Sequence, residues 1–216
     1  MFQQASSTVL DVRDRVLLFL RQACTPFYTT PVSLAERWAN STIIGNFVIS
    51  AIIDGTEQKC HNSRNGTTNA AFFSAKKSQH SVNILIMCSP QLQVYYVSPS
   101  YPGRNVDMTI TNQVLQNWTA NWEDEELIVA DQGFICKNPR IVIPCDYADP
   151  FAKQLRTVRC RVENCIANFK HFAVCREPLR EKVNHADGWN RILSSHQAHW
   201  QIVAGIVNCN LQGNFK

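Results

Sequence analysis

The chain has 216 residues, enough for one sizeable domain or one domain with a short preface, and so for a large core without disulfide or metal staples. Its composition, 45% hydrophobic and 18% charged with no low-complexity tract or internal repeat, excludes a fibrous or disordered class. A net charge of +4 is too mild to indicate a nucleic-acid partner by its sum, so its distribution matters more.

No apolar run approaches the ~20 residues that span a bilayer. The run VLLFL (16–20), flanked by Arg15 and Arg21, is too short for the apolar region of a signal peptide, so neither membrane insertion nor secretion is expected. Nine cysteines form an odd set without C-x-x-C spacing, which reads as reduced, partly buried thiols in an intracellular protein. The N-x-[ST] matches at Asn40, Asn65 and Asn117 carry little weight without a secretory signal.

Residues 1–42 read as a short helical preface and 43–216 as the main domain. In the preface Val9, Val12, Val16 and Leu20 recur at helical spacing, with Asp11, Arg13, Asp14 and Arg15 on other faces. Thr30-Pro31 then starts a short helix through Ala35 and Trp38. Two short helices suggest a helix-turn-helix, but no basic recognition helix is evident. The run Ile43 to Thr56 (IIGNFVISAIIDGT) reads as a buried strand whose carboxyl end carries Asp54.

A polar, turn-rich stretch over 57–80 is followed by a hairpin, Ser81 to Cys88 and Leu92 to Val97; apolar residues on both faces of its first strand predict a central position. Asp107 heads a helix with Ile110, Val114 and Trp118 spaced by four, and an aspartate there is also a good helix N-cap. The strand in ELIVADQG (126–133) ends in Asp131, and 141–144 forms a further short strand. A long helix from near Phe151 to Ala173 carries Leu155, Val158, Val162, Ile166 and Phe169 on its apolar face, and Trp200 to Leu211 forms a last buried helix. This order predicts an α/β fold, a mixed sheet flanked by helices.

If the strands that end at Asp54 and Asp131 are parallel neighbours, their aspartates lie side by side. A third acid, Glu163, sits on the long helix within a basic segment, with Arg156, Arg159 and Lys170 on its own face. The three acids are expected to form one metal site. Phosphodiester cleavage must activate an oxygen nucleophile and stabilise the leaving oxygen; two hard cations held by carboxylates do both, and basic neighbours hold the polyanion. Each acid also has a plainer reading: Asp54-Gly55 and Asp131 as turn residues, Glu163 as a surface partner of Arg159. A zinc site using His196 and His199 lacks a second ligand pair at suitable spacing.

At these residues the chain resembles the DDE superfamily endonucleases of the PIF/Harbinger transposase group. The matching blocks are IIDGT (52–56), FFSAKKSQHSVNI (72–84), VSPSYPGRNVD (97–107), LIVADQGF (127–134), RCRVENCIANFK (159–170) and IVNCNL (206–211). No block is specific alone; six in the family's order make the signal. The block usually reading GDSGY is ADQGF here, with its aspartate kept.

The resemblance implies an RNase H-like fold and a DNA strand-cleaving centre that uses Mg²⁺ or Mn²⁺. It places Asp54, Asp131 and Glu163 on the family's acidic triad and Asp107 on a further family aspartate, a candidate fourth metal ligand. Lys76, Lys77, Arg156, Arg159 and Lys170 would hold the DNA backbone. A Myb-like DNA-binding partner protein and a location in the nucleus, with or without a cytoplasmic pool, are further expectations. The rival is a non-catalytic, domesticated DNA- or partner-binding protein that retains the transposase fold.

Overall fold

The computed structural model describes residues 2–27, 33–61, 66–105, 107, 109–111, 119, 122–134, 138–145, 148–179 and 189–211. Helix α1 (Phe2–Cys24) and the short α2 (Leu34–Ala39) precede β1 (Thr42–Ile44) and the long β2 (Phe47–Lys59). Then follow α3 (Gly66–Phe72), β3 (Phe73–Ser74), β4 (Gln79–Cys88), β5 (Val94–Val97) and β6 (Tyr101–Pro102). The last part holds β7 (Glu126–Val129), β8 (Ile141–Val142), α4 (Pro150–Lys170), α5 (Ala173–Arg176) and α6 (Asn190–Leu211).

Among the described residues the strands form one eight-stranded mixed sheet. Strand β4 lies antiparallel between β2 on one side and β5 and β6 on the other, while β7 runs parallel to β2 and β8 parallel to β7. Helices α4 and α6 cover one face. This is the mixed α/β, RNase H-like arrangement implied by the sequence.

Two apolar clusters explain why the sheet is covered on both faces. Ile52, Ile84, Ile86 and Val129 pack with Leu155, Val162 and Phe169 of α4 and Trp200 and Val203 of α6. On the opposite face Ile53, Leu85, Met87 and Ile128 pack with Tyr95, Ile110 and Phe134. Strand β4 is thus apolar on both sides, as a central strand must be. Each fully buried Ile, Leu or Phe contributes about 1.5–3 kcal/mol. The β2–β7 register shifts between Ile49 and Ala51, so Ile49 and Ile52, three apart, both join the first cluster.

The first strand departs from its expected limits. Gly45, at φ +61°, closes a hairpin that splits off β1, and β2 continues through Lys59. Asp54 therefore lies within a strand and not past its end. It stands two residues past Ile52, the last position paired with β7, where β2 runs on beside β4 alone.

The valine stripe of α1 also faces the unexpected way. Val12 and Val16 are about half exposed, while Leu17 and Cys24 turn inward; the side chain of Val9 and the Thr30-Pro31 helix start lie outside the described residues. The close fit of α1 on α6 is made by Gly205, where an added Cβ would lie 2.5 Å from Cys24 Cβ. Helix α2 starts at Ser33, whose hydroxyl caps the Glu36 N–H. It is anchored by Arg37, which makes a two-pronged bond to Glu126 at 2.9 and 2.8 Å, both side chains almost wholly buried. Ser50 Oγ and the Glu123 N–H complete that carboxylate's bonds.

Helix α4 ends at Lys170 and not at Ala173, and α6 begins at Asn190, ten residues before the expected start at Trp200. Two side chains fix α6: Asn208 exchanges two hydrogen bonds with the Val94 backbone, both 2.8 Å, and Trp200 Nε1 donates to Gln58 Oε1 at 3.0 Å. The helix expected after Asp107 begins at 107 and 109–111; Val114 and Trp118 lie outside the described residues. The described cysteines are all free, with Cys60, Cys88, Cys165, Cys175 and Cys209 buried. Among the described residues no helix is long and apolar enough to cross a membrane.

Candidate functional site

The parallel register pairs Ile52 with Val129, so Asp54 and Asp131 each stand two residues beyond the last paired position. Both follow residues of the first apolar cluster at a strand's period of two, which points them toward the α4 side. Burial pushes the Asp54 carboxyl up to about 6; the charges of Asp107 and Asp131 add to this, and the Gly55 N–H and the charge of Arg159 oppose it. Asp131 is exposed, and its Oδ1 accepts the Gln132 N–H at 2.7 Å. Its carbonyl accepts the Phe134 N–H, which starts the turn that carries Gly133.

Asp107 lies against the opposite face of β2. Its carboxylate rests on the Cα of Gly55: an added Cβ there would lie 2.7 Å from Asp107 Cγ and closer still to Oδ1. Gly55 is therefore a seat for a carboxylate and not a turn residue. Asn83 Nδ2 donates to Asp107 Oδ1 at 3.0 Å, and Lys76 Nζ approaches Oδ2 at 3.7 Å. The Asp107 carbonyl, not the side chain, accepts from Thr111 Oγ1. Sequence reasoning alone misses Asn83. The signal is there: a lone amide in the apolar run SVNILIMC needs a partner once buried.

Glu163 sits on the shoulder of α4, beside the buried face. Its Oε1 accepts from Arg159 Nη2 at 2.8 Å, with the carboxylate side chain 56% exposed and the guanidinium 22%. Burial works against the Arg159 charge, but Glu163 and then Asp131 more than offset it and raise its pKa. Arg156 and Lys170 lie half-buried on the same shoulder, and Lys76 and Lys77 project from the exposed β3–β4 turn.

Asp54 and Asp131 are thus brought together, and the charge of Arg159 interacts with both. Glu163 is not gathered with them. Among the described residues no group of three His, Cys, Asp or Glu side chains is placed to hold a metal ion. The donor chemistry still suits a hard divalent cation, since the two facing groups are both carboxylates.

His196 lies in the core of the fold. It is fully buried, its Nδ1 lies 2.6 Å from Ser100 Oγ, and burial, aided by the charge of His199, pushes its imidazole down to about 3. It is a neutral core residue that ties α6 to the segment after β5.

No curated protein and no solved structure matches the chain. A family described as DDE superfamily endonuclease matches residues 53–208, a span that begins one residue before Asp54 and holds Asp107, Asp131 and Glu163. With well over half of its length inside that match, on the sheet that the family's fold requires, the chain belongs to the DDE superfamily endonucleases, the Harbinger transposase-like group.

Proposed function

We propose that this protein is a divalent-metal-dependent DNA endonuclease of the transposase type. The observation that carries the reading is the parallel β2–β7 register, which sets Asp54 and Asp131 side by side next to the basic shoulder of α4. Asp54, Asp131 and Glu163 would hold Mg²⁺ or Mn²⁺, with Asp107, seated on Gly55 at the opposite face of β2, as a further acid whose charge reaches Asp54. When bound, such ions supply charge stabilisation and an activated oxygen nucleophile for phosphodiester cleavage.

The chain's own residues supply the rest. Partial burial of Asp54 keeps bulk water from one side of the site. Lys77, Arg156 and Lys170 hold the DNA backbone, joined by Lys76 and Arg159, which in this structure pair with Asp107 and Glu163. Sequence recognition falls to a Myb-like partner protein, because α2 is unsuited to reading bases, its one basic residue, Arg37, being buried against Glu126. A nuclear location follows from the substrate.

The rival, a non-catalytic DNA- or partner-binding derivative, is favoured by the pairing of Glu163 with Arg159. Nicking of supercoiled plasmid with Mg²⁺ or Mn²⁺ separates the two. The nuclease reading expects nicking by the wild type that Asp131→Ala abolishes. DNA binding that survives chelation, with no nicking by a folded protein, selects the rival.

A further inference from the structure

We infer that Arg159 is a resident counter-cation that holds Glu163 while no divalent ion is bound and releases it to the ion when one binds. The inference rests on the proposed metal site at Asp54 and Asp131, and goes beyond it by giving Arg159 a role other than DNA contact.

The four acids differ in what stands against their charge. Asp107 has Lys76 and Asn83. Asp131 and Asp54 share the charge of Arg159, which is directly bonded to Glu163 at 2.8 Å. One guanidinium thus bonds one proposed ligand, and its charge acts on the other two, as that of a divalent cation would. Arg159 lies one helical turn before Glu163, and the bond between them joins two side chains, which rotamer changes alone can open. Opening it frees the Glu163 carboxylate for an ion. The exposed half of the Glu163 side chain leaves it free to turn.

The geometry has a thermodynamic consequence. An arginine that binds a metal's ligand competes with the metal, and its like charge repels the ion. Removing that charge tightens metal binding, and the larger share of the gain, which comes from freeing Glu163, requires Glu163.

The test is Mn²⁺ titration by calorimetry on the full chain without DNA, for wild type, Arg159→Gln, Arg159→Lys, Glu163→Gln and the Arg159→Gln/Glu163→Gln double variant. We expect Arg159→Gln to bind Mn²⁺ roughly threefold to tenfold more tightly than wild type. Arg159→Lys keeps the charge and stays nearer wild type. In the double variant most of the gain is lost, leaving an affinity close to that of Glu163→Gln. Equal or weaker binding by Arg159→Gln than by wild type overturns the inference while leaving the metal site standing. A gain of the double variant over Glu163→Gln as large as that of Arg159→Gln over wild type also overturns it, since Arg159 would then act on the ion without Glu163. Absence of Mn²⁺ binding by every variant removes the metal-site reading and this inference together.

Discussion

Gly55→Ala tests the seat of Asp107 on β2. Gly55 has no positive φ, so its backbone accepts alanine; the obstacle is the carboxylate that an added Cβ would meet, 2.7 Å from Cγ. Asp107 must retreat by roughly 1 Å, and overpacking of this kind costs ~1–3 kcal/mol. The 3.0 Å bond from Asn83 goes with it, a bond to a charged group worth ~1.5–3 kcal/mol. The 3.7 Å pair with the exposed Lys76 adds little. Alanine in a strand recovers ~0.5–1 kcal/mol over glycine. The net loss is about 1.5–5.5 kcal/mol, or a Tm lower by roughly 3–22 °C in a chain of this size. Urea unfolding of Gly55→Ala, Asp107→Ala and the double variant gives the coupling directly. Once Asp107 is truncated, Gly55→Ala becomes neutral or slightly stabilising. An equal loss in both backgrounds would refute the reasoning, because the clash would not be with Asp107.

Three further outcomes follow from buried polar groups. Arg37→Met leaves Glu126 buried and unpaired and costs about 3–5 kcal/mol in chemical denaturation. Burial tends to raise the Glu126 pKa, but the bonds from Arg37 and Ser50 outweigh it and lower the value, so the pair's stabilisation is present above the ordinary glutamate range and is lost as pH falls through the lowered value. His196, pushed down to about 3, binds a proton more readily unfolded than folded. Stability therefore declines by about 1.4 kcal/mol per pH unit as pH falls from ~6.5 toward 3, a slope that His196→Gln removes from urea titrations at pH 7, 6 and 5. Asn208→Leu strips both bonds from the Val94 backbone, costs about 2–3 kcal/mol, and speeds hydrogen exchange at the Val94 amide.

The sheet is legible because its strands are apolar on the faces they bury. SVNILIMC reads as central and is central, and the two strands bearing Asp54 and Asp131 are parallel neighbours, the condition that places their carboxylates side by side. Gly45-Asn46 is the missed turn, since the apolar residues on its two sides join into one run when hydropathy alone is read. Glu126 looks like part of a surface acidic run; its burial depends on Arg37, 89 residues earlier, and no local pattern reports such a pairing. The stripe of Val12 and Val16 illustrates the opposite limit, because helical periodicity finds an apolar face but not what covers it. In the site, spacing places Glu163 on the basic face correctly, whereas its bond to Arg159 in place of the aspartates is a choice between two partners that spacing leaves open.

The central claim is that Asp54 and Asp131 together hold a divalent cation. Electron paramagnetic resonance of Mn²⁺ titrated into wild type, Asp54→Asn and Asp131→Asn measures it without reference to catalysis. The account predicts that the wild type removes Mn²⁺ from the free-ion spectrum and that each folded variant fails to do so over the same range. Equal Mn²⁺ uptake by Asp54→Asn and wild type would contradict it.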